Sequence, residues 1–265
     1  LNGKVKTIKD IFENNNELSK EIIESKKPMI IFGESFFKIK SANYLFNLSK
    51  KFLFKNNKSN DDWNPINILS VDAATVGNLD LDIIDKKNKI LDELYENKFE
   101  IIFLLGQDNL DFKKKDEFII YQGSHGDRGA EIADIILPGA AYTEQSGHYT
   151  NLEGKLQKAY KASYPPGDAK EDWQIINDLA EIMNNRKLFN DKDELESSMF
   201  NYLKMNKDQQ NTKLEDKLNE SDFADEFLKV DYKDYYFSNV IARSSKTMLE
   251  CNNAKIDLKK TGTDG

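Results

Sequence analysis

The stretch Gly123-Ser124-His125-Gly126-Asp127-Arg128-Gly129 brings together the residue types in this chain that most readily do chemistry. It follows the apolar run Phe118 to Tyr121 and precedes Ala130 to Ala133. Backbone amides of a glycine-rich loop at the carboxyl end of a strand can form a nest for an anion, and open α/β sheets take their ligands at such ends. The same residues also have a purely structural reading. The glycines permit a sharp turn, Asp127 caps the next short helix and Arg128 stays exposed. The spacing is not G-x-G-x-x-G, which favours the structural reading.

Other constellations are weaker. Asp134 with Glu144, or Glu131 with Asp134, could form a carboxylate pair for acid–base work, but 46 acidic residues make such spacings common by chance. His125 and His148 are the only histidines and Cys251 the only cysteine. That set cannot supply the four thiolates of an iron–sulfur cluster or of structural zinc, nor an internal disulfide. The chain contains no GxSxG elbow, Walker loop, HExxH or paired CxxC, so nucleophilic and metal-assisted catalysis have no visible machinery. Trp63 and Trp173 read as packing residues, and Cys251 as a small buried hydrophobe.

The elements that must position these residues alternate between strand and helix from Pro28 onward, the pattern of an open α/β sheet with covered faces. Pro28 to Gly33, Glu100 to Gly106, Glu117 to Gly123 and Ala133 to Pro138 are continuous apolar runs closed by glycine or proline, as in buried parallel strands. Ile66 to Ser70 is a weaker strand. Asn43 to Phe54 repeats apolar residues at helical spacing, and Ile83, Ile84, Ile90, Leu91 and Leu94 predict another helix. Asp168 to Met183 is predicted helical, with Trp173, Ile176, Leu179, Ala180 and Met183 on one face and Asp168 with Glu171 as a D-x-x-E start. Beyond Asn184 apolar positions thin out: Leu195, Met199, Leu203, Leu214 and Leu218 give marginal helices. A second patterned stretch, Tyr232 to Met248, precedes a tail at 261–265 that is expected to fray.

Composition narrows the function classes. A net charge of -8, with 39% hydrophobic and 32% charged residues, opposes a phosphate-binding surface. Lys51, Lys55 and Lys58, like Lys113 to Lys115, sit beside Asp and Asn and read as solvated faces. No nucleic-acid partner is expected. No apolar run approaches the roughly 20 residues of a membrane span. Leu1 is not a start methionine, so missing targeting signals carry little weight.

One longer segment is more specific. Ala133-Asp134-Ile135-Ile136-Leu137-Pro138-Gly139-Ala140-Ala141-Tyr142-Thr143-Glu144 is followed by Gly147-His148-Tyr149-Thr150-Asn151-Leu152-Glu153-Gly154-Lys155-Leu156-Gln157. This A-D-x-x-L-P … N-x-E-G-K-x-Q arrangement resembles molybdopterin-dependent oxidoreductases. Within them the chain is most similar to the complex I branch, the large iron–sulfur subunit of NADH:quinone oxidoreductase. Lys27 to Gly33, Phe103 to Gly106, Phe118 to Asp134 and Pro165-Pro166-Gly167-x-Ala169-x-Glu171-Asp172-Trp173 carry that likeness. So does a tail of Asp234-Tyr235-Tyr236-x-Ser238-Asn239-x-Ile241-Ala242-Arg243 through Cys251.

The resemblance implies an α/β fold: a truncated molybdopterin-oxidoreductase-like domain with a mostly parallel sheet and a polar helical C-terminal extension. The expected divisions are an N-terminal extension (1–20), the α/β domain (21–184), a polar linker with marginal helices (185–230) and a C-terminal docking segment and tail (231–265). Residues that would grip a pterin in catalytic relatives fall at Asn151, Glu153, Gly154 and Lys155, where lysine replaces the usual arginine. In the complex I branch these imply a vestigial cradle kept as a packed turn. The resemblance implies no cofactor in this chain, with iron–sulfur clusters and FMN in partner chains. The expected role is a non-catalytic structural subunit of the NADH-oxidising peripheral arm, complementing a separate iron–sulfur half of the large subunit and touching other peripheral-arm subunits. Its expected place is the matrix side of the mitochondrial inner membrane, or the cytoplasmic face of a bacterial plasma membrane. The alternative is a small pterin- or nucleotide-binding oxidoreductase fragment.

Overall fold

The computed structural model of the chain describes residues 3–60, 62–85, 89–108, 110–209, 218–228 and 235–260. Leu214, Tyr232, Asp234 and the tail at 261–265 lie outside them. The chain forms two compact units, Leu1–Leu81 with Thr150–Leu156 and Lys204–Tyr232, and Asp82–Tyr149 with Gln157–Leu203 and Lys233–Gly265.

The first unit begins with helices α1 (Val5–Phe12) and α2 (Glu17–Glu24). Strand β1 (Ile30–Gly33), helix α3 (Ala42–Lys55), strand β2 (Ile66–Leu69) and the short helix α4 (Thr75–Asp80) follow. β1 and β2 pair in parallel from Ile30↔Ile66 to Gly33↔Leu69. Leu45, Leu48 and Phe52 recur at helical spacing and bury one face of α3 against Val5, Ile11 and Phe12. The helix then stops at Asn56 and Asn57, the latter left-handed at φ 56. Residues 5–12 are therefore part of this core, not an extension ahead of it.

The polar stretch expected as a linker also belongs here in part. Leu218 and Phe223 pack against the core. Ser41 Oγ donates to the Ala224 carbonyl and accepts from the Ala224 N–H, at 2.9 and 2.8 Å. Tyr44 donates to Glu220 at 2.7 Å, and the Lys9 ammonium lies 2.7 Å from the same carboxylate and over the Phe223 ring. Low apolar density hid these residues from a periodicity reading, because a few well-placed groups fasten them.

The second unit opens with α5 (Ile90–Tyr95), shorter than predicted; Ile83 and Ile84 are exposed ahead of it. Strands β3 (Ile101–Leu105), β4 (Phe118–Gly123) and β5 (Ile135–Pro138) form a parallel sheet in the order β3-β4-β5, with α6 (Arg128–Ile132) between the last two. The register aligns Ile101 with Phe118, and Phe103 with Ile120 and Ile135. Consecutive parallel strands added in one direction through right-handed crossovers carry both connections across the same face. Accordingly Leu110 and Phe112 from one connection, and Ala130, Ile132 and Ala133 from the other, cover Leu104, Ile119 and Tyr121. On the opposite face Ile101, Phe103, Leu105, Phe118 and Ile135 are exposed, while Gln122 is fully buried against Asp172. Apolar runs of this kind predicted cover on both faces; the two connections cover one, and the other is covered in part, at Gln122.

Strands β6 (Gly147–Thr150) and β7 (Leu156–Ala159) pair with each other. Helix α7 (Asp172–Asn184) starts later than predicted, because Glu171 rather than Asp168 is its N-cap, in a capping box with Gln174. Its buried face centres on Ile175 and Asn177, while Ile176 and Met183 are exposed. Then come α8 (Lys192–Gln209), α9 (Val240–Ser244) and α10 (Lys246–Lys260). Cys251 is exposed on α10, not buried. Among the described residues no helix is long and apolar enough to cross a membrane.

The one-sided core makes a graded prediction. Ile119→Ala should destabilise by about 2–5 kcal/mol, as for a fully buried aliphatic, whereas Ile101→Ala, at a largely exposed side chain, should cost less than about 1 kcal/mol. Urea unfolding of both variants checks this, and equal losses would show the Ile101 side chain to be packed.

Candidate functional site

The glycine loop after β4 is built around a tyrosine ring. Tyr121, buried beside Leu104 and Ile119, donates its hydroxyl to the His125 carbonyl at 3.0 Å. A Cβ at Gly129 would lie 2.8 Å from both the Tyr121 ring and the Gln107 carbonyl, and one at Gly123 would also strike that ring. These two glycines are thus required by close packing. Asp127 caps α6, accepting the Arg128 N–H at 2.8 Å, and Arg128 is largely exposed and faces Asp111. The structural reading of this loop holds. His125 meets Ser124, and His148 packs edge-on against Phe200.

What fills the crevice at the ends of β3 and β4 is a guanidinium. Arg243 of α9 directs Nη2 to Asp108 Oδ1 at 2.6 Å and Nε to Asp127 Oδ2 at 2.5 Å, while Nη1 donates to the Phe237 carbonyl at 3.3 Å. All three of its nitrogens are engaged, which suits the planar fork of arginine. Burial pushes Asp108 above the usual carboxylate range even with Arg243 beside it. Burial also acts upward on Asp127, but the Arg243 hydrogen bond and the Arg128 amide outweigh it and hold that carboxyl low. An anion entering here would meet two carboxylates, and the cap on α6 is already taken. Sequence reading missed Asp108 and gave Arg243 no partner, since they lie far apart in the chain and neither stands in a local motif.

A second polar centre fixes the start of α7. Glu171 receives Lys192 at 2.5 Å, Lys161 at 3.3 Å and the Trp173 indole at 3.2 Å. Burial would raise its pKa, but Lys192 leads the groups that hold it below the ordinary value. Asp172 accepts from Gln122 at 2.8 Å and Gln145 at 3.0 Å, tying the helix to β4. Trp63, likewise, donates to the Pro28 carbonyl at 2.9 Å.

The proposed acid pairs are not working pairs. Asp134 accepts the Ile119 N–H and the Lys114 ammonium, Glu144 accepts the Ala141 N–H, and Glu131 is exposed. Lys114 is therefore an ion-pair partner, not merely a solvated charge. Among the described residues no group of three or more His, Cys, Asp or Glu is placed to hold a metal ion.

Asn151, Glu153, Gly154 and Lys155 form a turn that closes on itself. Asn151 Oδ1 accepts the N–H groups of Glu153 and Lys155 at 3.0 and 2.9 Å, the Asn151 N–H donates to the Lys155 carbonyl, and Gly154 takes φ 76. Glu153, Gly154 and Lys155 are exposed. With its asparagine spent internally and the other side chains in solvent, this turn does not fit a pterin cradle.

Comparison with known families is specific. The family model for Molybdopterin oxidoreductase matches residues 1–182, so the chain belongs to the molybdopterin oxidoreductase family. The model for the C-terminal region of the NADH-ubiquinone oxidoreductase G subunit matches residues 194–251. The 75 kDa subunit of NADH-ubiquinone oxidoreductase from Reclinomonas americana is 35% identical over 95% of this chain and 38% of its own length. The NADH-quinone oxidoreductase G subunit of Rickettsia typhi is 38% identical over 98% of the chain and 38% of its length. The mitochondrial 78 kDa subunit of NADH-ubiquinone oxidoreductase from Candida albicans is 36% identical over 86% and 33%. The chain thus spans between a third and two fifths of these relatives.

Removing the guanidinium should strand a buried carboxylate. We predict that Arg243→Ala costs up to about 3–5 kcal/mol, the range for breaking a buried pair from one side, and that adding Asp108→Asn recovers part of it. The Asp127 share of this pairing should be complete above about pH 4, its ordinary value, and fade as pH falls through its depressed folded value. Urea titrations of wild type and variants between neutral and acid pH test both statements. A wild-type advantage that is unchanged by acid would contradict them.

Proposed function

We propose that this chain is a non-catalytic structural part of the NADH-oxidising peripheral arm of respiratory complex I, complementing the iron–sulfur half of the large subunit. The observation that carries the non-catalytic reading is the crevice at the ends of β3 and β4. Loops at the carboxyl ends of strands are where open α/β sheets bring ligand groups, and here Arg243 fills the space between two of them, paired with Asp108 and Asp127. The turn at Asn151–Lys155 supports the same reading, since its polar groups satisfy one another. Likeness to the large subunits of NADH-quinone oxidoreductase supplies the rest of the context. On this reading the partners are the iron–sulfur half and other peripheral-arm subunits, FMN and the clusters sit in those chains, and the location is the matrix side of the mitochondrial inner membrane.

Chemistry in such an arm is electron transfer between cofactors, and the contribution of this chain is to hold cofactor-bearing neighbours in place. Its side chains would then affect how much complex assembles, not how fast each complex turns over. Lys155 is the sharpest place to ask, because a basic residue follows the N-x-E-G signature there. Lys155→Ala should leave NADH oxidation per assembled complex within about twofold of wild type, well under the tenfold that 1.36 kcal/mol of transition-state stabilisation would produce. Activity divided by native-gel abundance is the measurement. A fall beyond tenfold with normal abundance would put the turn in an active site.

A further inference from the structure

We propose that the first unit carries a binding site for a single-chain amphipathic anion, an alkyl or aryl carboxylate, in the cleft between α1, α2 and the C-terminal half of α3. The floor of this cleft is apolar: Phe12 from α1, Ile23 from α2, and Leu48 and Phe52 from α3. Phe12, Leu48 and Phe52 belong to the buried core of the unit, so packing fixes the floor before any ligand enters. The rim is cationic. Lys51 and Lys55 line the cleft from adjacent turns of α3, and both are exposed. Among the described residues neither ammonium has an anionic partner. Like charges at i and i+4 destabilise a helix by mutual repulsion, and a carboxylate seated between them relieves it. Every lining residue falls within the first unit, so the cleft is complete there.

Charge and size select the occupant. Glu13 also lines the cleft, but its carboxylate lies 3.5 Å from the Lys9 ammonium, which offsets its charge. Free carbonyls at the end of α3 would repel an anion. They are instead engaged: Phe52 accepts from the Asn56 side chain at 2.7 Å, Leu53 from the Lys58 N–H at 2.9 Å and Phe54 from the Asn57 N–H at 3.0 Å. A negative head group therefore meets ammonium groups at the rim, and its apolar tail meets aromatic and aliphatic carbon below. An apolar lining with a few placed polar groups is the make-up of small-molecule sites, whose volumes run from ~300 to 1,000 Å3. At about 260 Å3 this cleft lies just under that range. It takes one short chain or ring and excludes a two-chain lipid or the multi-residue face of a helix.

Titration of the full chain with decanoate, followed by calorimetry and through isotope-labelled methyl groups of Ile23 and Leu48, tests the site. Decanoate should shift both methyls saturably, with a Kd of about 1 mM or tighter. Decyltrimethylammonium, which carries the opposite charge on the same chain, should bind at least tenfold more weakly. Lys51→Gln with Lys55→Gln should weaken decanoate at least tenfold and hold the melting temperature within a few degrees, since both side chains are in solvent. Lys113→Gln with Lys115→Gln, an equal change of charge in the second unit, should leave binding within twofold. The comparison of probes uses the wild-type chain alone, so it decides the matter even if the double variant fails to fold. Equal affinity for decanoate, decanol and decyltrimethylammonium would overturn the proposal by showing apolar adhesion only. Shifts confined to other methyls, or no saturation at millimolar decanoate, would overturn it as well. So would binding to phosphatidylglycerol vesicles with no response to decanoate, which would make this a membrane-facing surface.

Discussion

A parallel strand can reach its neighbour only by crossing a face of the sheet, and in the second unit both crossings fall on the same side. Much of the unit's structure follows from that constraint. The connections bring Leu110, Phe112, Ala130 and Ile132 onto Leu104, Ile119 and Tyr121 and so make a core on one face. On the other face they leave Ile101, Phe103, Leu105, Phe118 and Ile135 exposed, and α7 covers Gln122 through Asp172. They also bring the turns after β3 and β4 to one end of the sheet, where Asp108 and Asp127 converge. A partly exposed apolar face and an acidic crevice are two consequences of a single topology.

The crevice then sets the chemistry. Two carboxylates placed together out of bulk water repel each other and lose hydration, so the arrangement needs a cation with directional donors. Arg243 provides three nitrogens and reaches the site from α9, a five-residue helix with no buried residue of its own. The C-terminal segment is therefore fastened by charge and hydrogen-bond geometry instead of by apolar packing. Tyr121 reinforces the choice from below: its ring claims the space that Gly123 and Gly129 leave open. A loop that resembles an anion nest in composition is in fact fitted to an aromatic ring and a cation.

The strands were legible in the sequence almost to the residue, because Ile101 to Leu105, Phe118 to Gly123 and Ile135 to Pro138 are continuous apolar runs with sharp ends. Such a run shows that both faces of a strand are apolar; it carries no information about what lies against them, so the cover of Gln122 by Asp172 was invisible. Helix α7 was found but its start was misplaced. Asp168-x-x-Glu171 reads as a capping start, whereas glutamate is not a usual N-cap; Glu171 takes that place with Lys192, Lys161 and Trp173 converging on it. The candidate site fared worst. Asp127 was recognised as a cap, but its pairing with Arg243 spans 116 positions, and no local spacing encodes a contact of that separation. Cys251 was expected inside and lies outside, since small size suits either place.

A scaffolding role requires that this chain carry no electron-transfer or pterin chemistry of its own. Elemental and absorbance analysis of the chain separated from its partners tests that requirement directly. A single cysteine, a self-satisfied turn at Asn151–Lys155 and a crevice filled by Arg243 predict no stoichiometric iron or molybdenum and no flavin or pterin absorbance. One equivalent of molybdenum, flavin or pterin, or iron in cluster stoichiometry, retained by the isolated chain would contradict that role.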